Sequence, residues 1–191
     1  DTVRAPITAA NFLKYVDAGL FDGGRFFRTV RPDNQVDKPV KIAVIQAAGS
    51  RERRADFLPA IPLERTNVTG LSHRDGTLSM TRSTPDTARD SFSICVADQP
   101  ALDFGGARQP DGQGFAAFGR VVRGMDVVRT IQMGPANGET LTPLERPAPP
   151  GRRGRRHRGA TRRAAVERDV DFNRRIPARV DDLAPVDFLD L

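Results

Sequence analysis

The sequence predicts a mainly β domain, most simply an antiparallel barrel or sandwich, that also contains two helices. Three observations support this fold class. Short segments of apolar residues, several of them alternating with polar residues, recur as far as about residue 145. Only two segments place apolar residues at helical spacing. Long loops separate the predicted strands and helices.

The first element is a helix over residues 8–18. Thr8 is expected to cap its N-terminus, and Gly19 is expected to end it in a left-handed turn. Its apolar residues at helical spacing are Phe12, Leu13 and Val16.

Strands follow at residues 25–30, 41–47, 76–81 and 91–97. In the last of these strands Phe92, Ile94 and Val96 share one face, which indicates a strand packed on a core. A Gly-rich loop then leads into the apolar segment 115–122. A second helix is predicted over residues 125–133, with Val127, Val128 and Ile131 facing inward.

The net charge of +6 is concentrated near the C-terminus. Residues 150–165 hold seven Arg and no acid, 166–191 hold seven acids against four Arg, and 1–149 carry only about +2. Such local basicity favours a tail over a nucleic-acid-binding fold. We therefore predict a domain over residues 1–144 and a disordered tail over 145–191, Pro/Arg-rich and then acidic.

Composition excludes several classes of site. Cys95 is the only cysteine, so no internal disulfide can form, and its strand-like neighbours predict a buried core residue. His73 and His157 are isolated histidines without ligand spacing, so neither a metal nor another cofactor is expected. No stretch of about 18 apolar residues is present to span a membrane.

Several segments resemble the catalytic domain of bacterial-type cyclophilins, the cyclophilin-type peptidyl-prolyl cis–trans isomerases, and they occur along the chain in the same order as in that family. Gly76-Thr77-Leu78-Ser79-Met80 resembles the family's Gly-x-Leu-Ser-Met strand, and Phe118-Gly119-Arg120-Val121-Val122 resembles the start of its Phe-Gly-x-Val segment. The other matching segments are residues 5–12, 26–28, 45–48, 91–95, 102–103 and 123–128. The resemblance covers roughly residues 4–144.

The resemblance implies an eight-stranded antiparallel β-barrel capped by two α-helices. Here the barrel is expected to be incomplete, because the chain starts where the family's first helix starts and no final strand is recognisable after Leu141-Thr142-Pro143. Asp1-Thr2-Val3-Arg4 lacks the basic start and apolar run of a signal peptide. We expect a bacterial protein of the cytoplasm or the periplasm.

The resemblance also implies an activity, the isomerisation of X–Pro bonds during protein folding. Arg28 matches the family's catalytic Arg, and Gln46 matches the Gln that holds the substrate carbonyl beside it. A fixed cation near the prolyl nitrogen stabilises the twisted amide more than either planar form, which is catalysis without covalent chemistry.

The matching positions predict a peptide-binding set of Ala43, Val44, Met80, Thr81, Ser91, Ser93, Leu102 and Phe115. This set departs from the family, because Ala43-Val44 stands where a Phe-Met pair is usual and Ser93 replaces a second pocket Phe. Ser91 replaces a Gln that contacts the substrate backbone. The insertion at residues 31–41 is a candidate for a substitute wall, and we expect weakened activity that Arg28→Ala abolishes.

The expected partners are proline-containing peptides and unfolded chains bound by a monomer, without metal or nucleic acid. Two alternatives stay open. One is a non-catalytic peptide-binding or chaperone-like module that has lost its proline pocket. The other takes the Arg tract at residues 152–163 as an RNA- or membrane-binding tail, although no aromatic residue interleaves that tract.

Overall fold

Seven short strands pair into one antiparallel sheet in this computed structural model, which describes residues 1–142. The strands are β1 (Arg25–Val30), β2 (Val44–Ala48), β3 (Thr77–Met80), β4 (Phe92–Cys95), β5 (Ala116–Arg120), β6 (Ala136–Asn137) and β7 (Thr140–Leu141). Their order across the sheet is β5-β3-β4-β2-β1-β7-β6. Within the described residues β5 and β6 are the sheet edges, so the strands do not close into a barrel.

Both predicted helices are present, as α1 (Pro6–Asp17) and α3 (Met125–Gln132). Short α2 (Thr66–Thr69) and the 3-10 turns Arg51–Asp56 and Pro100–Leu102 lie in segments predicted as loops. A single turn has no apolar periodicity, so the sequence pattern could not have shown these three elements.

The prediction that Thr8 caps the first helix is wrong. Helix α1 begins at Pro6, whose fixed φ suits the first helical turn. The Glu64 carboxylate accepts the backbone N–H groups of Ile7 and Thr8 at 3.1 and 2.7 Å, so a residue far along the chain satisfies this helix end. The predicted left-handed turn is confirmed, since Gly19 has φ of +59°.

The main core lies between one face of the sheet and α1. Phe12 of α1 meets Phe21, Phe92 and Phe118 at ring-centroid distances of 5.2 to 5.3 Å. Each such pair contributes about 0.5–1.5 kcal/mol beyond the apolar area it buries. Val128 joins this core from α3, so both long helices cover the same face of the sheet.

A smaller apolar cluster lies on the opposite face of the sheet. It contains Val30, Ile42, Val44, Cys95 and Leu102, with Phe115 packed against it. Cys95 is fully buried, as predicted, and burial raises the pKa of its thiol. Because the main core covers the first face, the polar residues Arg28, Gln46, Ser79 and Ser93 lie on the second face, beside this smaller cluster.

The predicted tail at residues 145–191 lies outside the described residues, and the domain boundary at residue 144 stays a prediction. Among the described helices, none is long and apolar enough to cross a membrane.

Candidate active site

A groove with a volume of about 280 Å³ opens on the face of the sheet that carries the smaller cluster. Its lining residues come from β1 to β4, from the segment that follows β3, from the 3-10 turn at Pro100–Leu102, and from two loops, residues 31–43 and 103–115. They are Arg28, Lys38, Pro39, Val40, Ile42, Val44, Gln46, Ser79, Thr81, Arg82, Ser93, Leu102, Ala107, Arg108, Gln109 and Phe115.

A row of paired polar residues crosses four strands at the base of this groove. Arg28 of β1 pairs with Gln46 of β2, which pairs with Ser93 of β4, which pairs with Ser79 of β3. Directly opposed residues in antiparallel strands project from the same face of the sheet. The sheet register therefore brings the two predicted catalytic residues together.

A β-bulge in β1 aims Arg28 into the groove. Phe26 pairs with Ala47 and Arg28 pairs with Gln46, so Phe27 is the extra residue between these two pairs. Without the bulge Phe27 would oppose Gln46, and Arg28 would turn toward the main core on the other face.

Hydrogen bonds fix the Arg28 guanidinium on two sides. Its Nη1 donates to Gln46 Oε1 at 3.1 Å, while Nε and Nη2 donate to Glu139 Oε2 at 2.9 and 2.5 Å. Gln46 Nε2 in turn donates to Ser91 Oγ at 3.1 Å, and Ser91 Oγ donates to the Ala47 carbonyl at 3.0 Å. We call Arg28, Gln46, Ser91 and Glu139 the polar wall.

Aliphatic and aromatic side chains form the neighbouring surface of the groove, here named the apolar wall, which consists of Ile42, Val44, Leu102 and Phe115. The Arg82 guanidinium lies 5.2 Å from the centroid of the Phe115 ring, within cation–π range.

Arg82 also ties down the loop that carries Phe115. It binds the Asp111 carboxylate through two bonds of 2.8 and 2.9 Å and the Gly114 carbonyl through a third of 2.8 Å. Its side chain is only 1% exposed, so this cation is fully engaged by the protein.

A buried network supports the groove from below. His73 Nε2 lies 2.8 Å from Ser79 Oγ, and Nδ1 lies 2.6 Å from Asp103 Oδ1. Burial lowers the pKa of His73, although Asp103 opposes the shift, so the imidazole is neutral at pH 7. The Nδ1–H then donates to Asp103, and Nε2 accepts the Ser79 hydroxyl proton. This network joins β3 to the turn that carries Leu102.

Two loops border the groove, and we call their contacting residues the loop rim: Lys38, Pro39 and Val40 on one side, and Ala107, Arg108 and Gln109 on the other. Arg108 joins the two loops, since its Nη1 donates to Gln35 Oε1 at 2.8 Å and to the Val40 carbonyl at 2.6 Å. The insertion at residues 31–41 therefore does contribute to the groove wall.

The structure places most of the predicted site residues in the groove: Arg28, Val44, Gln46, Thr81, Ser93, Leu102 and Phe115. Ser91 lies behind Gln46 and orients it. Their roles toward a substrate stay predictions.

Three predicted contact residues, Ala43, Met80 and Ser91, are not among the residues that line the groove. Met80 is 1% exposed within the main core, because its neighbours Ser79 and Thr81 take the groove side. Ala43 likewise lies between Ile42 and Val44, which both face the groove.

Four charged residues of the site were missed by the sequence analysis: Lys38, Arg82, Arg108 and Glu139. Lys38 and Arg108 lie in loops outside the family-like segments, where no pattern marks them. Glu139 follows Asn137-Gly138, a strong hairpin signal, but the sequence does not show that this hairpin pairs with β1. In residues 1–142 no cluster of three or more His, Cys, Asp or Glu side chains could hold a metal ion.

Comparisons with known proteins agree with this geometry. Residues 1–149 match the family described as "Cyclophilin type peptidyl-prolyl cis-trans isomerase/CLD". The chain is 36% identical over 129 residues to a peptidyl-prolyl cis-trans isomerase of Acinetobacter baylyi, covering 67% of this chain and 61% of that protein. It is 32% identical over 151 residues to peptidyl-prolyl cis-trans isomerase A of Dickeya dadantii, covering 75% and 72%.

A solved structure supports the fold. The crystal structure of a Cryptosporidium parvum cyclophilin-type isomerase superposes with a TM-score of 0.56 at 18% identity, covering 75% of this chain and 80% of that one. The predicted fold class, a cyclophilin-like antiparallel barrel that is incomplete over the described residues, is confirmed. This chain belongs to the cyclophilin-type peptidyl-prolyl cis–trans isomerase family.

Proposed function

We propose that this chain accelerates cis–trans isomerisation of X–Pro bonds in peptides and unfolded proteins, with Arg28 as the group that stabilises the twisted amide. One observation carries the proposal: Arg28 is held in an open groove by Gln46 on one side and Glu139 on the other. The names of the bacterial relatives support the same reaction.

The chemistry follows from the amide. Rotation about an X–Pro bond has a barrier of about 18–20 kcal/mol, because it breaks the resonance of the amide. As the bond twists, the prolyl nitrogen regains a lone pair, and a donor fixed beside it stabilises that state selectively. Arg28 uses only some of its five N–H donors on Gln46 and Glu139, so an N–H on each Nη remains for the substrate.

Gln46 provides a second contact. Its Oε1 orients Arg28 and one Nε2–H is donated to Ser91, which leaves the second Nε2–H for a substrate carbonyl. The apolar wall borders the same groove beside this pair and would take the proline ring. Because that wall is mainly aliphatic, with Ser93 in place of a pocket Phe, we expect weaker peptide binding than an aromatic pocket gives.

Isomerisation of an Ala-Pro tetrapeptide, followed by NMR exchange spectroscopy with the full chain, tests the proposal. Arg28→Ala should lower kcat/KM about 100- to 1,000-fold, as removal of a preorganised transition-state donor does elsewhere. Arg25→Ala is the matched control, because Arg25 is an exposed Arg on the same strand that does not line the groove. Equal rates for wild type and folded Arg28→Ala would refute the proposal.

The second candidate function is a peptide-binding module without catalysis. The presence of Ala43 and Ser93 where the family has pocket Phe residues favours it. Peptide binding without any acceleration by the wild-type chain would select this candidate. A monomeric state and a cytoplasmic or periplasmic location in a bacterium complete the proposal.

A further inference from the structure

The charges around the groove are one-sided. Four cationic side chains line it, Arg28, Lys38, Arg82 and Arg108, and no Asp or Glu is among the lining residues. A groove lined by one sign of charge concentrates ligands of the opposite sign. Whether this charge is available to a ligand depends on what each cation already contacts.

Two of the four cations are already paired. Arg28 shares an ion pair with Glu139, and Arg82 forms its two-bond pair with Asp111 while almost completely buried. These two pairs add little net charge to the groove. They also leave Arg82 with no exposed surface for a ligand.

The other two cations, Lys38 and Arg108, keep their charge. Within residues 1–142 the Arg108 side chain contacts only neutral acceptors, Gln35 Oε1 and the Val40 carbonyl, and forms no ion pair. Both contacts use Nη1, so Nε and Nη2 have no acceptor in this described part of the chain. Lys38 is exposed on the opposite side of the loop rim.

The position of Arg108 favours an anionic ligand. Burial is the largest cause of its lowered pKa, the Arg28 charge lowers it further, and Glu139 opposes both. An arginine remains protonated at neutral pH despite such a shift. An anion bound to the free donors of Arg108 would compensate this partly buried charge.

We propose that this groove prefers X–Pro substrates in which the residue next to proline carries an anionic side chain, a carboxylate or a phosphate. The inference rests on the proposed isomerase function and adds a substrate class to it. The groove is small, so with the proline beside Arg28 and the apolar wall, we expect the adjacent side chain to extend toward the loop rim. There it meets Lys38 and the free donors of Arg108, whose fork matches carboxylate and phosphate oxygens.

The test compares Ala-Glu-Pro-Phe, Ala-Gln-Pro-Phe and the corresponding phosphoserine peptide with the full chain. Turnover is measured by NMR exchange spectroscopy, and binding is measured separately by chemical-shift titration. We expect kcat/KM for Glu to exceed that for Gln by about fivefold at low salt, with at least as large an excess for phosphoserine. The excess should shrink at about 0.5 M NaCl, where screening is strong.

Two variants locate the effect. Lys38→Gln changes an exposed side chain, so it should not disturb folding. It should reduce the ratio of kcat/KM for the Glu peptide to kcat/KM for the Gln peptide. Arg108→Gln should reduce the ratio further, toward one. Lys14→Gln removes one positive charge from exposed helix surface outside the groove, and should leave the ratio unchanged.

The outcomes separate the two proposals. Equal rates for Glu and Gln peptides, both catalysed, overturn the anion preference and leave the isomerase function standing. No turnover of any peptide overturns the isomerase function, and the ratio of dissociation constants then decides the anion preference. A ratio that stays high in both Lys38→Gln and Arg108→Gln also overturns the preference.

Discussion

The polar wall and the apolar wall border the same groove, but different contacts hold them in place. Arg28 and Gln46 of the polar wall lie on the paired strands β1 and β2, and directional hydrogen bonds fix them: Arg28 by Gln46 and Glu139, and Gln46 by Ser91. The apolar wall also takes Val44 from β2, but its Leu102 comes from the 3-10 turn at Pro100–Leu102 and its Phe115 from a loop. The Arg82–Asp111 pair and Arg108 hold these loop segments in place.

This difference separates catalysis from binding. A donor that acts only in the transition state must be fixed before the reaction, which strand register and hydrogen bonds achieve. An apolar surface that contacts the proline ring in ground and transition states alike tolerates variation in shape. Changes to the polar wall should therefore alter kcat, and changes to the apolar wall should alter KM.

After Arg28 itself, the largest effect is expected at Glu139, which holds Arg28 without lining the groove. Glu139→Ala removes the acceptor of two Arg28 donors and should lower kcat about tenfold, with little change in KM. Glu139→Gln keeps an acceptor oxygen at the same reach and should restore most of the lost turnover. Steady-state kinetics by NMR lineshape analysis separates the two constants.

Glu52→Ala is the control for Glu139→Ala, because Glu52 is an exposed acid in the 3-10 turn at Arg51–Asp56. A rise in KM with kcat unchanged in Glu139→Ala would contradict a positioning role. It would also contradict the assignment of kcat effects to the polar wall and KM effects to the apolar wall.

The next effect concerns His73, which anchors the apolar wall through Asp103 and Ser79. Its pKa is lowered by burial from the ordinary 6.5, so the unfolded chain takes up a proton that the folded chain does not. The stability present above pH 6.5 should therefore be lost as the pH falls toward the folded-state pKa. One such proton accounts for at most about 1.4 kcal/mol per pH unit.

Urea unfolding between about pH 7.5 and pH 5.5 measures this loss. In His73→Asn the unfolding free energy should fall less steeply as the pH decreases, and the difference in slope should correspond to the uptake of up to one proton fewer on unfolding. His157 is present in both proteins, so any contribution it makes cancels in the difference. Identical slopes would show that His73 takes up its proton in the folded state as readily as in the unfolded chain.

The sequence predicted the part of the polar wall that lies on strands, for a physical reason. Strand β1 has the predicted bounds, Arg25–Val30, and the resemblance placed Arg28 beside Gln46. Within a strand the alternation of side chains between the two faces is fixed, so the apolar–polar pattern and the spacing of family-like residues both predict positions there. The bulge at Phe27 was not predicted, although it turns Arg28 to the correct face.

Contacts between distant segments could not be predicted. Glu64 satisfies the start of α1, and Glu139 reaches Arg28 across 111 residues of sequence. Met80 could have been excluded beforehand, because consecutive strand residues face opposite sides and Thr81 was already assigned to the groove. The loop rim has no periodic pattern, so Lys38 and Arg108 became visible only in three dimensions.

The smallest expected effect tests the apolar wall directly. Ser93 is buried at the base of the groove in the row that contains Gln46, and Ser93→Phe would place an aromatic ring beside Val44 and Leu102. The ring should bind proline in ground and transition states alike, so KM should fall about threefold while kcat changes less. Ser83→Phe adds the same ring at an exposed position outside the groove and controls for nonspecific peptide adhesion.

The insertion decides the sign of this effect. Pro39 and Val40 already line the groove opposite the strands, and the remaining volume of about 280 Å³ is small for a ligand site. If these residues have replaced the missing aromatic wall, the new ring competes with proline and KM rises instead. Lower KM in Ser93→Phe, with kcat preserved, would show that the groove retains room for the proline ring. Higher KM would assign the proline-binding surface to the loop rim.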